Sequence, residues 1–389
     1  MKMAVVGAGI GGLALASLAV RAGHQVCLWE RFEQPRPVGS GLVIQPVGLA
    51  VLDRLGVGDA ARALGAPIAR MQGHLGSGRS VLDVSYRLHA PGLAMHRSAL
   101  FGVLWRAAQA AGVTVRTGAE IRSAPRVGGR RSLRLADQQT VDDVDLVVDA
   151  SGAGSCLSPL QARPLGYGAI WGTVAWPAHA RLPMDELRQR YRAASRMVGV
   201  LPVGQMHEGD VHRAAVFWSM PADALSAWGQ TPLDVWRAEA VSLWPEMAPF
   251  VEQITEVGQM TPARYAHGTL RQPHAPGLVF IGDAAHRASP QLGHGANMAL
   301  LDAWALFNAL QRYPLDEALP RYAAMRRWHV RMYQWISALF TPMYQSGSRA
   351  LPLLRDHLLA PSTRLPGVPR LLTALVSGDL LPPVWGASS

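Results

Sequence analysis

The pattern of hydrophobic and polar positions at the start of the chain predicts a strand, a helix and a second strand. Residues 1–6 and 25–29 are short apolar runs of the length expected for buried strands. Between them, a glycine-rich turn at residues 7–12 leads into residues 13–22, which have helical composition and length. This order predicts a βαβ unit with two parallel strands.

The turn before this helix contains Gly7, Gly9, Gly11 and Gly12, and the second strand ends at Glu30. Gly7 allows a tight turn, Gly9 lets the backbone approach a pyrophosphate, and Gly12 permits close packing of the helix. The carboxylate of Glu30 can accept hydrogen bonds from a ribose diol. The unit therefore predicts a bound dinucleotide, although this motif serves nicotinamide and flavin cofactors alike.

A second glycine-rich segment lies far along the chain. The apolar residues 277–281 predict a strand that presents Gly282 and Asp283 at its end, and a turn with Pro290, Gly293 and Gly295 then opens a helix. Peptide N–H groups and a positive helix end would face one ligand there. The carboxylate of Asp283 suits the ribityl chain of a flavin, and the two later glycines leave room for its ring. Together the two segments favour FAD.

Between these segments, the apolar runs at residues 169–176, 197–203 and 214–220 predict strands of a substrate-binding sheet. A shorter excursion at residues 68–93 is expected to join it. Trp171, Trp176, Trp218 and Met220 are candidate walls of a pocket for an aromatic or lipophilic substrate. Aromatic side chains on strands are more often core residues, so both interpretations stay open here.

Beyond residue 315 the chain is predicted to be helical and is unusually apolar. The helical spacing of residues such as Trp328, Trp335 and Leu339 favours packing in the core. The alternative is a hydrophobic entrance for a lipophilic substrate, or a weak contact with a membrane surface.

Composition and charge narrow the class of protein. The 389 residues, 49% of them hydrophobic, suffice for a large core and two intertwined domains. Cys27 and Cys156 are the only cysteines, so we expect a reduced, cytoplasmic chain with no metal site. No apolar run reaches the roughly 18 residues that a transmembrane helix needs. The net charge of +10 comes from scattered arginines without interleaved aromatics, so nucleic-acid binding is not expected.

These features resemble the class A FAD-dependent aromatic hydroxylases, monooxygenases with the para-hydroxybenzoate hydroxylase fold. The resemblance covers residues 3–330. Its landmarks are the Gly7-Gly9-Gly12 turn with Glu30 and Arg31, the helix start at His96-Arg97-Ser98-Ala99-Leu100, and the Gly282-Asp283 pair.

The resemblance implies an α/β fold with three parts. An FAD-binding Rossmann-like domain of the glutathione-reductase type is expected at residues 1–67, 94–166 and 263–330. An inserted mixed β-sheet substrate domain is expected at residues 68–93 and 167–262. A C-terminal helical segment would follow at residues 331–389.

The resemblance also implies roles for individual residues. Glu30 would hold the adenosine ribose, Arg97 would reach toward the flavin and phosphates, and the backbone at Ile121 would lie near the adenine. A helix-surface charge for Arg97 and a core position for Ile121 are the alternatives. The full set of implied cofactor residues is Gly7, Gly9, Gly11, Gly12, Glu30, Arg31, Gly41, Arg97, Ile121, Gly282, Asp283, Pro290, Gly293, Gly295, Ala296 and Asn297.

The implied reaction uses FAD, O2, and NADPH or NADH as electron donor. Oxygen would add to the reduced ring to form a flavin C4a-hydroperoxide, which hydroxylates an aromatic or lipophilic small molecule. His286 is a candidate for proton transfer, with a structural position beside the flavin site as the alternative. His294 is a candidate for a contact with substrate or flavin, with packing within the loop as the alternative. A flavin-dependent dehydrogenase or reductase on the same fold, and a non-catalytic binding protein, also stay open.

One landmark departs from the family pattern. After a predicted strand at residues 144–148, the family usually carries an Asp-Gly pair, then a Ser and an Arg, in a region linked to FAD and NAD(P)H binding. The matching positions here are Ser151, Gly152, Ser155 and Ser158. Without that Asp and Arg, we expect direct reduction by NADPH or NADH to be weakened or rerouted, while FAD binding survives.

Overall fold

Strands and helices alternate along the chain, and strands from its early and late parts pair in parallel. The computed structural model describes residues 1–34, 41–86 and 90–384. Strands β1 to β21 are Lys2–Val6, Gln25–Trp29, Gly41–Ile44, Ala66–Ile68, Arg70–Leu75, Ser80–Ser85, Gly92–His96, Thr114–Arg116, Ile121–Ser123, Arg126–Val127, Arg130–Leu135, Thr140–Val144, Leu146–Asp149, Arg163–Ala175, Glu186–Arg192, Arg196–Gly204, Arg213–Pro221, Met260–Thr269, His274–Ala275, Leu278–Phe280 and His286–Arg287.

The helices pack against these strands and form the C-terminal part of the chain. Helices α1 to α11 are Ile10–Arg21, Pro46–Arg54, Gly58–Leu64, Arg97–Ala110, Leu233–Leu243, Ala248–Val251, Gly295–Arg312, Leu315–Tyr344, Ala350–Leu354, Ala360–Ser362 and Val368–Ser377. Helix α1 begins three residues before the predicted position because Gly9, in extended conformation, is its N-cap. Helix α4 begins at Arg97 as the landmark suggested, and the His96 ring accepts from the Ser98 N–H.

The first sheet brings the two glycine-rich segments together. Its order is β19-β20-β13-β1-β2-β8, and all its pairs are parallel except the β19–β20 hairpin. In register, Val6 lies beside Trp29 and Asp149, and Asp149 lies beside Phe280. The residues that follow these four strands therefore meet at one carboxyl edge, where doubly wound sheets bind their ligands.

Glycines at this edge allow close packing. A Cβ on Gly12 would lie 2.1 Å from the Gly7 carbonyl oxygen, and one on Gly7 would lie 2.7 Å from the Ala150 oxygen. A Cβ on Gly11 would meet Ala299 of α7 at 3.1 Å. Gly11 rather than Gly12 thus faces the neighbouring helix, while Gly12 accommodates the tight turn itself.

The second large sheet has the order β21-β18-β14-β17-β16-β15-β5-β6. Strands β14, β16 and β17 contain the three predicted apolar runs, and β5 joins the sheet by parallel pairing with β15. Smaller sheets are formed by β3-β7-β4 and by β9 to β12. The predicted α/β fold class, with an FAD-binding part, a mixed sheet and C-terminal helices, is confirmed. The domain boundaries stay a prediction.

The C-terminal helices cover one end of the large sheet. The Thr373 hydroxyl donates to the Ser85 carbonyl at 2.8 Å, and the Tyr333 hydroxyl donates to the Leu375 carbonyl at 2.6 Å. Trp328, Trp335 and Leu339 are exposed by 55%, 82% and 58%, so the core-packing interpretation is wrong for them, because they occupy the outer stripe of α8. Among the described helices, none is long and apolar enough to cross a bilayer.

Candidate active site

The N-terminus of α1 presents free peptide N–H groups at the carboxyl edge of the first sheet. The first intrahelical bond runs from Leu13 N to Gly9 O, so the three preceding N–H groups have no intrahelical acceptor. A Cβ on Gly9 would have only the Ala150 oxygen nearby, at 3.7 Å. The space beside Gly9 is therefore open on the side where a pyrophosphate would approach.

Glu30 is a buried carboxylate held rigidly at the end of β2. The Ala8 N–H donates to Oε2 at 2.8 Å and the Phe32 N–H donates to Oε1 at 3.0 Å. Each carboxylate oxygen can still accept a second hydrogen bond, as a ribose diol requires. Arg31 is exposed, with its guanidinium 4.7 Å above the Phe32 ring.

The second segment supplies another helix N-terminus. Gly282 and Gly293 adopt positive φ angles of 59° and 65°, which glycine accepts without strain. The first intrahelical bond of α7 runs from Met298 N to His294 O, so the N–H groups of residues 295–297 lack intrahelical acceptors. Asp283 is exposed at the same edge and lines the large cavity described below, together with Pro290, Gly293, Gly295 and Ala296.

The side chain of Asn297 fastens this turn to the rest of the molecule. Its Oδ1 accepts from the Gln45 N–H at 2.8 Å, and its Nδ2 donates to the Val43 and Gly293 carbonyls at 3.0 Å. The amide is therefore fully engaged within the protein. Only the main chain at Asn297 is left to contact a cofactor.

Gln45 is a buried polar residue beside the Gly293 turn that the sequence alone did not indicate. It is fully buried, the Tyr86 hydroxyl donates to its Oε1 at 2.6 Å, and its Nε2 has no hydrogen-bond partner. This donor would lie 3.8 Å from a Cβ on Gly293. An unpaired buried donor at the turn fits the polar edge of a flavin, which carries carbonyl acceptors. The available signal was a polar residue between an apolar strand and Pro46.

Arg97 lines the large cavity, and its side chain is exposed to that space. Burial lowers the pKa of its guanidinium, and the nearby Asp283 carboxylate opposes that effect. The two charges thus face the same space at the junction between α4 and the Gly282 turn. Ile121, by contrast, is buried in the core beside β11, so its side chain contacts protein.

Beneath the Gly282 turn lies a buried charge network. Asp302 accepts from the Gly282 N–H at 2.9 Å and from Arg326 Nε at 2.7 Å, and His286 Nε2 lies 2.7 Å from its Oδ2. Burial alone would raise the pKa of Asp302, but His286 and Arg326 hold it well below the ordinary range. His286 is therefore held in this network by Asp302, and a role in proton transfer stays a prediction.

His294 lies on the side of the turn that faces the C-terminal helices. Its ring centroid is 4.3 Å from that of Tyr333, and neither ring nitrogen has a well-aligned hydrogen-bond partner. Burial lowers its pKa to about 4, although backbone groups at Leu375 and Val376 act in the opposite direction. The imidazole is neutral near pH 7. It borders a small void of about 40 Å³ and does not line the large cavity.

A cavity of about 590 Å³ extends from the Gly293 turn between the large sheet and the C-terminal helices. Its walls are mostly apolar, and the Trp171 and Phe217 rings lie 4.5 Å apart there. Trp171 Nε1 donates to the Tyr265 hydroxyl at 2.9 Å, and burial raises the pKa of that phenol, so it stays neutral. The cavity is large enough for a drug-sized aromatic molecule.

Of the four candidate substrate residues, only Trp171 lines this cavity. Trp176, Trp218 and Met220 pack on the opposite face of the sheet, in a core with Trp228 and Trp236. Successive residues of a strand point to opposite faces, and Trp171 pairs with Phe217 while Ile170 pairs with Trp218. The assignment of those three residues to the substrate pocket is therefore corrected.

The loop at residues 151–158, which differs from the family pattern, is hydrogen-bonded to a carboxylate that the sequence analysis did not single out. Asp149, fully buried, accepts from the hydroxyls of Ser151 and Ser155 at 2.5 Å, and burial raises its pKa against these hydrogen bonds. The Ser158 hydroxyl donates to the Ala284 carbonyl at 2.5 Å, and Arg287 Nη2 donates to the Ala153 carbonyl at 2.5 Å. The loop is thus tied to the Gly282 turn without the family's Asp and Arg.

The fold and the paired glycine-rich turns define a flavoprotein, and comparisons with known proteins agree. The profile of the family described as FAD binding domain matches residues 1–331. The 3-amino-4-hydroxybenzoate 2-monooxygenase of Streptomyces cremeus is 30% identical over 84% of this chain and 83% of its own. The 6-methylpretetramide 4-monooxygenase of Streptomyces rimosus is 26% identical over 96% of this chain and 92% of its own.

Solved structures share the fold at lower identity. A variant of HpxO from Klebsiella pneumoniae, complexed with FAD, matches with a TM-score of 0.82 at 21% identity, over 98% of this chain and 100% of its own. A 2-methyl-3-hydroxypyridine-5-carboxylic acid oxygenase matches with a TM-score of 0.78 at 22% identity, over 94% and 98%. The chain belongs to the FAD binding domain family and, within it, to the class A FAD-dependent aromatic hydroxylases.

Replacing Asp302 by Asn should destabilise the protein strongly. The change leaves Arg326 buried without its counter-charge, so we expect the free energy of unfolding to fall by about 3–5 kcal/mol at pH 7. Because the folded pKa of Asp302 is lowered, the stabilisation is present above about pH 4 and is lost as the pH falls through the folded pKa. Urea unfolding followed by tryptophan fluorescence measures both effects.

Asp316→Asn is the matched control, because Asp316 is exposed in the first turn of α8. Its free energy of unfolding should stay within about 0.5 kcal/mol of the wild type. Equal effects of the two substitutions, or a difference that widens in acid, would contradict the assigned role of Asp302.

Proposed function

We propose that this chain hydroxylates an aromatic or lipophilic small molecule held in the 590 Å³ cavity. The observation that carries the proposal is that this apolar cavity opens directly onto the turn formed by Asp283, Gly293 and Gly295. A substrate there would lie beside the flavin end of a bound FAD. The relatives named above are oxygenases by name, which does not favour the dehydrogenase or the non-catalytic alternative.

The residues present fit an extended FAD. The N–H groups at the start of α1 would bind the pyrophosphate, Glu30 the adenosine ribose, and Asp283 the ribityl chain. The N-terminus of α7 and the unpaired Nε2 of Gln45 would face the polar edge of the ring. When bound, FAD would supply the reducing electrons and the activation of O2 from which one oxygen atom reaches the substrate.

The protein's own contribution is positioning and exclusion of water. Trp171, Phe217 and the aliphatic walls would orient an aromatic ring, and the neutral Tyr265 hydroxyl could donate to a substrate oxygen. The positive end of α7 would stabilise negative charge on a bound, reduced flavin ring. Among the described residues that line the cavity, there is no histidine to act as a base.

Oxygen incorporation tests the proposed function directly. Reduced holoenzyme is mixed with ¹⁸O₂ and a panel of phenols, indoles and quinolones, and the products are analysed by mass spectrometry. We expect one labelled oxygen atom in the product of an accepted substrate. Substrate oxidation without label would establish the dehydrogenase reaction instead. Parallel samples in labelled water with unlabelled O2 control for exchange.

Substitutions on opposite faces of the large sheet test whether the substrate binds in the cavity. Trp171→Leu removes an aromatic wall, so the KM for substrate should rise about tenfold, which corresponds to about 1.4 kcal/mol. Trp176→Leu removes a ring that contacts Phe250 on the opposite face, so it should lower stability and leave KM unchanged. Similar KM values for the two variants would contradict the placement of substrate in the cavity.

Hydride delivery from NADPH or NADH is the step that we expect to be weak. The hydroxyls of Ser151 and Ser155 donate to Asp149, the Ser158 hydroxyl donates to the Ala284 carbonyl, and Asp149 is inaccessible. Anaerobic stopped-flow absorbance should show slow flavin bleaching by either donor, with and without substrate. Dithionite is the control for a reducible flavin.

Ser158→Arg restores the cationic side chain of the family pattern and should speed bleaching by NADPH. Ser158→Ala loses the hydrogen bond to Ala284 without adding charge, so it should not. Fast, substrate-stimulated bleaching of the wild-type protein would overturn the expectation of weakened hydride delivery.

A further inference from the structure

The helices from α8 to α11 form a thin wall between the large cavity and the outside. We call residues 327–372 the C-terminal wall. At three places along it, an exposed leucine directly precedes a side chain that lines the cavity. These pairs are Leu339 and Phe340, Leu358 and Leu359, and Leu371 and Leu372. The wall is therefore apolar on its inner and its outer side.

The outer side of the wall concentrates the exposed apolar surface of the molecule. Of the thirteen large hydrophobic side chains that are exposed among the described residues, eight belong to the wall. They are Trp328, Trp335, Leu339, Leu353, Leu354, Leu358, Leu365 and Leu371. Clusters of this kind on soluble surfaces mark sites of interaction with a protein or a membrane.

The wall also carries an excess of positive charge. Residues 327–372 contain six arginines and a single carboxylate, so they contribute +5 of the net charge of +10. That carboxylate, Asp356, is buried and bound to Arg355 at 2.7 Å. In the part of the chain that the structure describes, the exposed arginines of the wall form no ion pair. They are Arg327, Arg331, Arg349, Arg364 and Arg370.

Helix α8 shows how charge and apolar surface combine. Arg331, Trp335 and Leu339 are spaced four residues apart and exposed, so they share one stripe. The opposite stripe, with Val330 and Tyr333, is buried against α11. A helix with a basic and aromatic outer face is typical of helices that lie in the interface of a bilayer.

We propose that the C-terminal wall docks on the surface of a membrane that contains anionic lipids. Its tryptophan and leucine side chains enter the headgroup region, while the exposed arginines bind lipid phosphates. A second copy of this chain is a poorer occupant, because a symmetric contact would bring the same unpaired arginines together.

The docking extends the proposed function, because a lipophilic substrate dissolved in the bilayer would reach the wall that borders its cavity. Membrane binding itself requires neither substrate nor turnover. Membrane binding that is measured without substrate therefore tests the docking independently of the proposed hydroxylation.

Vesicle flotation of the holoenzyme tests the docking. One set of vesicles is phosphatidylcholine alone, and in the other about a third of the lipid is phosphatidylglycerol. We expect strong binding only to the anionic vesicles, and weaker binding in about 0.5 M NaCl, where screening shortens the electrostatic range.

Two pairs of variants separate the apolar and charged contributions. Trp335→Ser combined with Leu339→Ser should lower binding roughly tenfold or more, because both side chains lose their burial in lipid. Val211→Ser combined with Val235→Ser is the control, since these residues are 62% and 61% exposed outside the wall. Arg327→Gln and Arg331→Gln should each lower binding about fivefold, and only on anionic vesicles. Arg181 is exposed outside the wall, so Arg181→Gln should leave binding unchanged.

Retained FAD absorbance shows that each variant is folded. Absence of binding to anionic vesicles, or binding that the wall variants leave unchanged, overturns the proposal. Analytical ultracentrifugation without lipid tests the alternative that a second copy of this chain binds the wall. A dimer that Trp335→Ser dissociates would assign the wall to self-association and would also overturn the proposal.

Discussion

The buried carboxylate of Asp302 connects the Gly282 turn to the C-terminal half of the molecule. One oxygen binds the Gly282 N–H and His286, and the other binds Arg326 of α8. Arg326 in turn donates to the Pro383 carbonyl. Because an unpaired charge in this interior is costly, α7, α8 and the Gly282 turn must keep their relative positions. The Gly282 turn and the helices that border the cavity are thereby held as one unit.

This connection gives the cavity two unlike boundaries. On one side are helix ends, glycines and the opposed charges of Arg97 and Asp283, which suit a polar cofactor. On the other are Trp171, Phe217 and the inner side chains of the C-terminal wall, which suit an apolar ring. At this end the cavity is closed by a single layer of helices, whose inner side chains line it and whose outer side chains are exposed. The chemistry of the outer surface therefore bears on how a lipophilic molecule arrives.

Local patterns were sufficient for much of the framework. Strand β2 has the predicted bounds, and α4 begins at the predicted landmark, because apolar period and capping are properties of neighbouring residues. Gln45 and Asp149 were missed because their importance arises from distant partners. Gln45 is noticed only when Tyr86 and Gly293 are beside it, and Asp149 only when Ser151 and Ser155 turn toward it.

The amino-acid sequence by itself determined the parallel framework and the glycine-rich turns, since both follow from short-range periodicity and the absence of a side chain. Only the tertiary structure decided which aromatic residues face the large cavity. Trp171 and Trp218 lie on adjacent strands and are similarly apolar, yet they point to opposite faces of one sheet. Both faces are covered by apolar side chains, so hydrophobicity does not distinguish cavity from core. Strand register and the helices packed on each face make that distinction.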